Sequence, residues 1–172
     1  MLVGKNVNLR TFDLEDLEFV WRWGNDLEFM GPFEPVEQFS RLEAESWLRE
    51  MPKDEHWFII ETKEGEKVGQ MVAKPEGPHY GIGYRVIPSA RGKGSCAEAV
   101  KILVDFLFLS KNLVRVQAQT NPENVASQKV LEGAGFVREG LIRKAIYARG
   151  AWLDGIQYGI LREDWGEPKI LK

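Results

Sequence analysis

The sequence predicts an α/β (α+β) fold, a mixed sheet flanked by helices. Three segments in the middle of the chain, 57–62, 67–73 and 79–87, are strand-like and joined by short turns, which is typical of an antiparallel meander. A helical stripe of apolar residues follows between Ala97 and Phe108. Because the next alternating segment comes after this helix, it can lie parallel to the last strand of the meander.

The first fifty residues predict one strand and two helices. The strand occupies about the first ten residues and stops at Asp13, a residue type that caps helix N-termini. An amphipathic helix follows and ends near 24–25. Residues 24–40 carry two prolines, two glycines and several aromatic residues, so we expect a loop without regular structure, followed by a second helix over 41–50.

The second half of the chain predicts further alternation of strands and helices. After the long helix come a strand at 113–119, a helix near 125–132, and strand-like stretches at about 136–147 and 157–161. Neither an internal repeat nor a linker interrupts the pattern. We therefore expect one domain over residues 1–172.

Composition excludes several classes of protein. The chain has 23 Lys and Arg against 26 Asp and Glu, a net charge of −3, so it lacks the basic excess of a nucleic-acid-binding protein. No apolar run approaches the roughly 18 residues of a membrane span, and the start MLVGKNVNLR is unlike a signal peptide. The one cysteine, Cys96, cannot form an internal disulfide or build a zinc site by itself. We expect a cytoplasmic protein without membrane, nucleic-acid or metal partners.

A glycine-containing turn joins the strand that ends at Ile87 to the helix that starts near Gly94. The first N–H groups of a helix are unpaired and carry a partial positive charge, which suits an anion such as phosphate. Gly92 and Gly94 allow close approach to the backbone, while Arg91 and Lys93 add positive charge. The alternative is that the glycines only form a tight turn.

Spacing separates three kinds of phosphate-binding loop. The run Gly92-Lys93-Gly94-Ser95 does not fit a Walker A loop, because a glycine lies between the lysine and the hydroxyl. Gly92, Gly94 and Ala97 match the dinucleotide fingerprint, but residues 119–121 lack the acidic residue expected after the next strand. A nicotinamide-dependent enzyme is thus the weaker alternative.

The remaining possibility is a resemblance to a known family. Arg91-x-x-Gly94-x-Cys96 resembles the Q/R-x-x-G-x-G/A motif of the GCN5-related N-acetyltransferase (GNAT) superfamily, with Cys96 in a position that is normally Gly or Ala. Residues 121–136 resemble the N-P-x-N-x-x-S-x-x-x-L-x-x-x-G-F signature of its RimJ/RimL-like branch, as do 138–140 and Gly150-x-Trp152-x-Asp154-x-x-x-Tyr158. The resemblance covers nearly the whole chain.

This resemblance implies the GNAT fold, a mixed sheet of about seven strands with a cofactor cleft between the fourth and fifth strands. These strands correspond to 79–87 and 113–119. The acetyl-CoA-binding residues implied are Tyr84, Arg85 and Val86 on the strand, Arg91, Gly92, Lys93, Gly94, Ser95 and Cys96 in the loop, and Asn124. Asn124 can equally be the N-cap of the following helix.

The activity implied is that of an acyltransferase, an acetyl-CoA-dependent N-acetyltransferase. It would move an acetyl group directly to a primary amine, a peptide or protein N-terminus or a small amine, in a ternary complex without a metal. Acids at Asp26, Glu28, Glu34 and Glu37 suit a cationic acceptor, and nearby aromatic residues suggest a partly apolar pocket. The alternative is a module of the same fold that binds acetyl-CoA with little or no catalysis. A homodimer is common among such proteins.

The resemblance assigns the catalytic groups unevenly. Ser127 lies where some relatives place the acid that protonates the thiolate, and Leu131 stands where many have a tyrosine; Ser127 can equally be a cap or cofactor contact. The amide of Val86 would polarise the thioester carbonyl. Glu28 or Asp26 are candidate bases, although both can be solvated loop acids and water can carry the first proton. Cys96 is expected to be a packed thiol rather than a nucleophile.

Overall fold

The computed structural model describes residues 1–171 and has one mixed sheet flanked by helices, as predicted. Within these residues the sheet has eight strands in the order β1-β2-β3-β4-β5-β6-β8-β7. They are antiparallel except for the pair β5 and β6. The strands are β1 Leu2–Val3, β2 Val7–Thr11, β3 His56–Thr62, β4 Lys67–Glu76, β5 His79–Val86, β6 Arg115–Thr120, β7 Val137–Ala148 and β8 Ala151–Leu161.

The helices follow the predicted order with two additions, short helices at 27–30 and 162–165. The predicted loop at 24–40 contains a short helix at 27–30, because the Asp26 side chain accepts from the backbone N–H groups of Glu28 and Phe29 and starts a turn. Within residues 1–171, no helix is both long and apolar enough to span a bilayer. The helices are α1 Leu17–Asn25, α2 Leu27–Met30, α3 Arg41–Arg49, α4 Ser95–Ser110, α5 Val125–Gly133 and α6 Arg162–Trp165.

The sheet has an apolar core on each face. Neighbouring residues of β3 alternate between the two cores, with Phe58 and Ile60 on the side of α4 and Ile59 on the side of α1 and α3. Fully buried residues of α4, such as Leu103 and Leu107, fill the first core. Each such side chain stabilises the fold by about 1.5–3 kcal/mol. The sheet therefore has two sides, each with its own cavities. The face covered by α4 is here called the helix side, and the face covered by α1, α3 and the loop between them is called the loop side.

The strands β5 and β6 separate soon after they meet. Their parallel pairing consists of Tyr80 with Val116 and Gly81 with Gln117. The cleft predicted between the fourth and fifth strands thus lies between β5 and β6, since the two-residue β1 shifts the numbering by one.

The free edge of β5 faces this opening. On its other edge, the Ile87 N–H donates to the Val68 carbonyl at 2.9 Å. Because hydrogen-bonded pairs alternate along an antiparallel ladder, Arg85 is the next residue bonded to β4. The N–H groups of Tyr84 and Val86 therefore point away from β4, into the space that β6 has left.

A buried charge cluster ties the start of α1 to the sheet. Asp16 is fully buried and accepts hydrogen bonds from Arg10 of β2, at 2.8 and 2.9 Å, and from Lys67 of β4, at 2.7 Å. Burial alone would raise the pKa of Asp16, but the hydrogen bonds from Arg10 and Lys67 prevail and lower it to about 2.

We expect Asp16→Asn to lower the free energy of unfolding by about 3–5 kcal/mol, because Arg10 and Lys67 lose their buried counter-charge. A depressed folded-state pKa gives stability that is present above the unfolded pKa of about 4 and is lost as the pH falls through about 2. Urea unfolding should therefore show the gap between native protein and variant narrowing from about pH 5 to about pH 2. Glu15→Gln, at a side chain 71% exposed, is the control and should change stability little. A constant gap across this range would contradict the assignment.

Candidate active site

The glycine turn at the start of α4 has the geometry predicted for an anion site. Gly92 and Gly94 have φ values of 74° and 83°, in the left-handed region that side chains with a Cβ rarely adopt. Gly94 is the N-cap of α4 and forms no side-chain cap, so the first N–H groups of this helix lack a capping side chain. Arg91 and Lys93 flank them. An anion at this turn would meet both the helix dipole and two cations.

A cavity of about 350 Å³, here called the central cavity, lies between this turn, β5 and α5. The residues 29–34 of the loop that contains α2 cover it. Lys93, Gly94 and Ser95 lie beside its lining, at the start of α4. Most of the residues predicted to bind acetyl-CoA line it, as does Ser127: Tyr84, Arg85, Val86, Arg91, Gly92, Cys96 and Asn124.

The hydroxyl groups of Tyr84 and Ser127 are hydrogen-bonded inside the central cavity. Their oxygens are 2.9 Å apart. The side chain of Asn124 caps α5 by accepting from the Ser127 N–H at 3.2 Å, so Asn124 has the capping role considered for it and also borders the cavity. Burial raises the pKa of Tyr84 far above its usual value. Tyr84 is therefore protonated at neutral pH and can donate to Ser127.

Cys96 is a partly buried thiol in the lining of the central cavity. Burial raises the pKa of Cys96 to about 12. Because the thiolate is the reactive form, this raised pKa favours the predicted packed thiol over a nucleophile.

A second cavity, of about 520 Å³, lies on the loop side of the sheet and is here called the acidic cavity. Its charged lining is three glutamates and two cations: Glu34, Glu37, Glu43, Lys74 and Arg85. Aromatic residues form much of the remaining wall: Phe39, Trp47 and Trp57. The predicted combination of acids and aromatic residues is thus present, although cations accompany the acids.

Glu34 and Arg85 lie where the cavities adjoin. Both residues line the central cavity, the acidic cavity and a third space of about 290 Å³ between the separated ends of β5 and β6, called the splay cavity. Arg85 Nη2 donates to Glu34 Oε2 at 2.5 Å. No local pattern in the sequence predicts this pair, because the two residues are 51 positions apart.

The candidate bases Asp26 and Glu28 line none of these three cavities. Asp26 accepts from two N–H groups as the cap of α2. Glu28 lies at a shallow surface pocket with Arg91 and Arg149, outside the three cavities, and its carbonyl accepts from Arg91 at 2.6 Å. The Asp154 carboxylate lines the splay cavity and accepts from the Lys144 N–H at 2.9 Å. A catalytic role for Glu28 stays a prediction that its placement does not favour.

Comparison with known proteins gives consistent results. A family model described as an acetyltransferase (GNAT) domain matches residues 6–137. The uncharacterized N-acetyltransferase YnaD of Bacillus subtilis (strain 168) is 30% identical over 165 residues, which cover 94% of this chain and 96% of YnaD.

Solved structures are similar over nearly the whole chain. The ribosomal-protein-S5-alanine acetyltransferase from Vibrio fischeri superposes with a TM-score of 0.85 and 25% identity, covering 95% of this chain and 97% of that one. The spermidine N-acetyltransferase from Vibrio cholerae, in complex with CoA and spermine, superposes with a TM-score of 0.83 and 22% identity, covering 94% and 99%. At 22% identity, the similarity to the spermidine N-acetyltransferase shows a shared fold.

We expect Cys96 to resist alkylation in the native protein. With its pKa raised to about 12, its thiolate fraction at neutral pH is orders of magnitude below that of a free cysteine, so iodoacetamide should react at least about 100-fold more slowly than in urea. Mass spectrometry of the modified protein over time measures both rates. Similar rates in the two states would show that the thiol is exposed and reactive.

Proposed function

The chain belongs to the GNAT acetyltransferase family and is an N-acetyltransferase, and on this premise we propose that it transfers the acetyl group of acetyl-CoA directly to a primary amine in a ternary complex. The observation that carries the proposal is the unpaired edge of β5, which faces the opening left by β6 beside the glycine turn of α4. Similarity to a ribosomal-protein alanine acetyltransferase supports the predicted RimJ/RimL-like branch. Relatives named for spermidine and for a ribosomal protein support small-amine and protein acceptors respectively.

The residues around the central cavity fit acetyl-CoA. The pyrophosphate would meet the amides of Gly92 and Gly94 and the N-terminus of α4, with Arg91, Lys93 and Ser95 beside it. The free N–H and carbonyl groups of Tyr84 and Val86 would pair with the pantetheine amides as a missing strand would. The Val86 N–H would also donate to the thioester carbonyl, which stabilises the oxyanion of the tetrahedral intermediate.

The Tyr84 and Ser127 pair can supply the proton for the departing thiolate. Ser127 lies one turn into α5, in the lining of the central cavity. Its hydroxyl would protonate the sulfur while the Tyr84 hydroxyl donates to the Ser127 oxygen and stabilises its developing charge, and Ser127 would then regain a proton from solvent. Tyr84, a strand residue, would thus compensate for the tyrosine that Leu131 replaces in α5.

Glu34 is the carboxylate best placed to receive the proton of the acceptor amine. An alkylammonium with a pKa near about 10.4 costs roughly 4–5 kcal/mol to deprotonate at neutral pH, so a nearby base or a water leading to one assists the reaction. Glu34 lines both the acidic cavity, the space proposed for the acceptor, and the central cavity, the space proposed for the thioester. We favour it over Glu28 and Asp26 for that reason.

Other expectations stay predictions. They are the single domain over 1–172, the cytoplasmic location, the homodimer and the absence of a metal. The alternative function, a module that binds acetyl-CoA with weak or no catalysis, is favoured by one observation: Arg85 already occupies Glu34.

Free CoA formation from acetyl-CoA tests the function. We expect thiol release with some members of a panel of small amines, amino acids and peptides. Gly94→Val should weaken acetyl-CoA binding at least about 30-fold, because a β-branched residue at φ +83° distorts the turn. Gly65→Val is the matched control, since Gly65 has a φ of 85° in the turn between β3 and β4, away from the cleft. Binding without release across the panel would favour the module, and no binding would refute both.

We expect Ser127→Ala to lower kcat about 100-fold with little change in acetyl-CoA affinity, because the thiolate loses its acid. Tyr84→Phe should lower kcat less, since Ser127 keeps its own hydroxyl. Steady-state kinetics and calorimetric titration with CoA separate the two effects, with Ser46→Ala on the exposed face of α3 as control. A loss of affinity at unchanged kcat would make Ser127 a binding residue only.

A further inference from the structure

We infer that the acetyl acceptor is a free α-amino acid with an apolar side chain, whose carboxylate binds Arg85 and whose ammonium binds Glu34. The inference rests on the proposed acetyl transfer and narrows its acceptor class. It starts from the unused hydrogen-bonding capacity of one side chain.

Arg85 has most of its donors free at the junction of the cavities. A guanidinium has five N–H donors in a planar fork that matches carboxylates in pairs. Within residues 1–171, the side-chain hydrogen bonds of Arg85 amount to the one from Nη2 to Glu34, and the buried Nε has no partner. The side chain is only 24% exposed. Since poorly solvated donors favour acceptors, the fork can receive a second anion.

The arrangement of charges restricts what this anion can belong to. Glu34 and Arg85 present a negative and a positive group side by side. A ligand that pairs with both side chains must place a positive group at Glu34 and a negative group at Arg85. These two groups must be as close together as the two side chains are. The ammonium and carboxylate of an α-amino acid are attached to one carbon and meet this requirement. A polyamine offers only positive charge, which Arg85 repels, and a peptide N-terminus has an amide in place of the carboxylate.

The other charges of the acidic cavity have alternative contacts. The carboxylate of Glu43 accepts from Ser40 in the cap of α3. Lys74 pairs with Glu55 at 3.4 Å. Glu37 is exposed to solvent. Glu34 and Arg85 are therefore the pair available to a buried ligand.

The aromatic residues of the acidic cavity can pack against the apolar side chain of such an amino acid. Trp47 and Trp57 meet edge to face at 4.7 Å between ring centroids, and Phe39 lies in the same cavity. The volume of about 520 Å³ accommodates an apolar amino acid. Because Glu34 and Arg85 also border the central cavity, an amine bound to them lies on the side of Tyr84 and Val86.

Matched pairs of amines with and without the carboxylate test the inference. We compare kcat/KM for phenylalanine with 2-phenylethylamine and for leucine with 3-methylbutylamine, with spermidine as a third acceptor. The native enzyme should prefer the amino acid in each pair, and Arg85→Gln should reduce this ratio about 10–100-fold. Using a ratio cancels any general loss of activity in the variant. Lys74→Gln, which removes the other cation of the cavity, should keep the ratio.

Calorimetric titration of CoA-saturated protein with the same compounds measures their binding affinities in the absence of acetyl transfer. A preference for the decarboxylated amines or for spermidine, or a ratio unchanged by Arg85→Gln, overturns the inference and leaves the acetyltransferase proposal intact. Thiol release with peptides of the wider panel but with none of these acceptors also overturns the inference alone, whereas release with no acceptor of either set refutes the proposed function. In that case tighter binding of phenylalanine than of 2-phenylethylamine still supports the Arg85 site, and equal binding overturns it.

Discussion

The separation of β5 and β6 is the constraint on which the site depends. A strand edge without a partner leaves N–H and carbonyl groups unpaired, which is unfavourable unless water or a ligand binds them. Here the edge opens between the first turns of α4 and α5, so two helix N-termini face the same space. The antiparallel pairing of β6 with β8 keeps the sheet continuous beyond the opening. The cleft is thus a consequence of where strand pairing ends.

Strand alternation lets β5 serve both sides of the sheet. Tyr84 points to the helix side and meets Ser127, whereas its neighbour Arg85 points to the loop side and meets Glu34. The two side chains are fixed by one backbone segment, so the groups proposed for the leaving thiol and for the acceptor keep a constant relation. At the other end of the loop side, the buried Asp16 cluster holds the start of α1 against β2 and β4.

Local patterns in the sequence were sufficient for much of the fold. The meander, the glycine turn and the apolar stripe of α4 depend on residues close in the chain, and they were predicted correctly. The site was predictable only in part, because the partners Glu34 and Arg85 are 51 residues apart, and Tyr84 and Ser127 are 43 apart. Such contacts depend on how strands bend and where loops cross the sheet. The short helix α2 was missed because prolines and glycines around it favour a loop, whereas the cap by Asp26 overrides them.

Backbone carbonyls of the loop that contains α2 accept three of the hydrogen bonds that hold it in place. Arg91 donates to the Glu28 carbonyl, and Arg149 donates to the carbonyls of Leu27 and Gly31. Every residue type has a carbonyl, so positions 27 and 28 can change their side chains without losing these anchors, whereas Gly31 is restricted by its φ of 85°. The side chains at positions 27 and 28 can therefore diversify by substitution at this surface pocket while the loop, which also carries Glu34, stays in place. New contacts beside the cleft can evolve in this way without loss of the site.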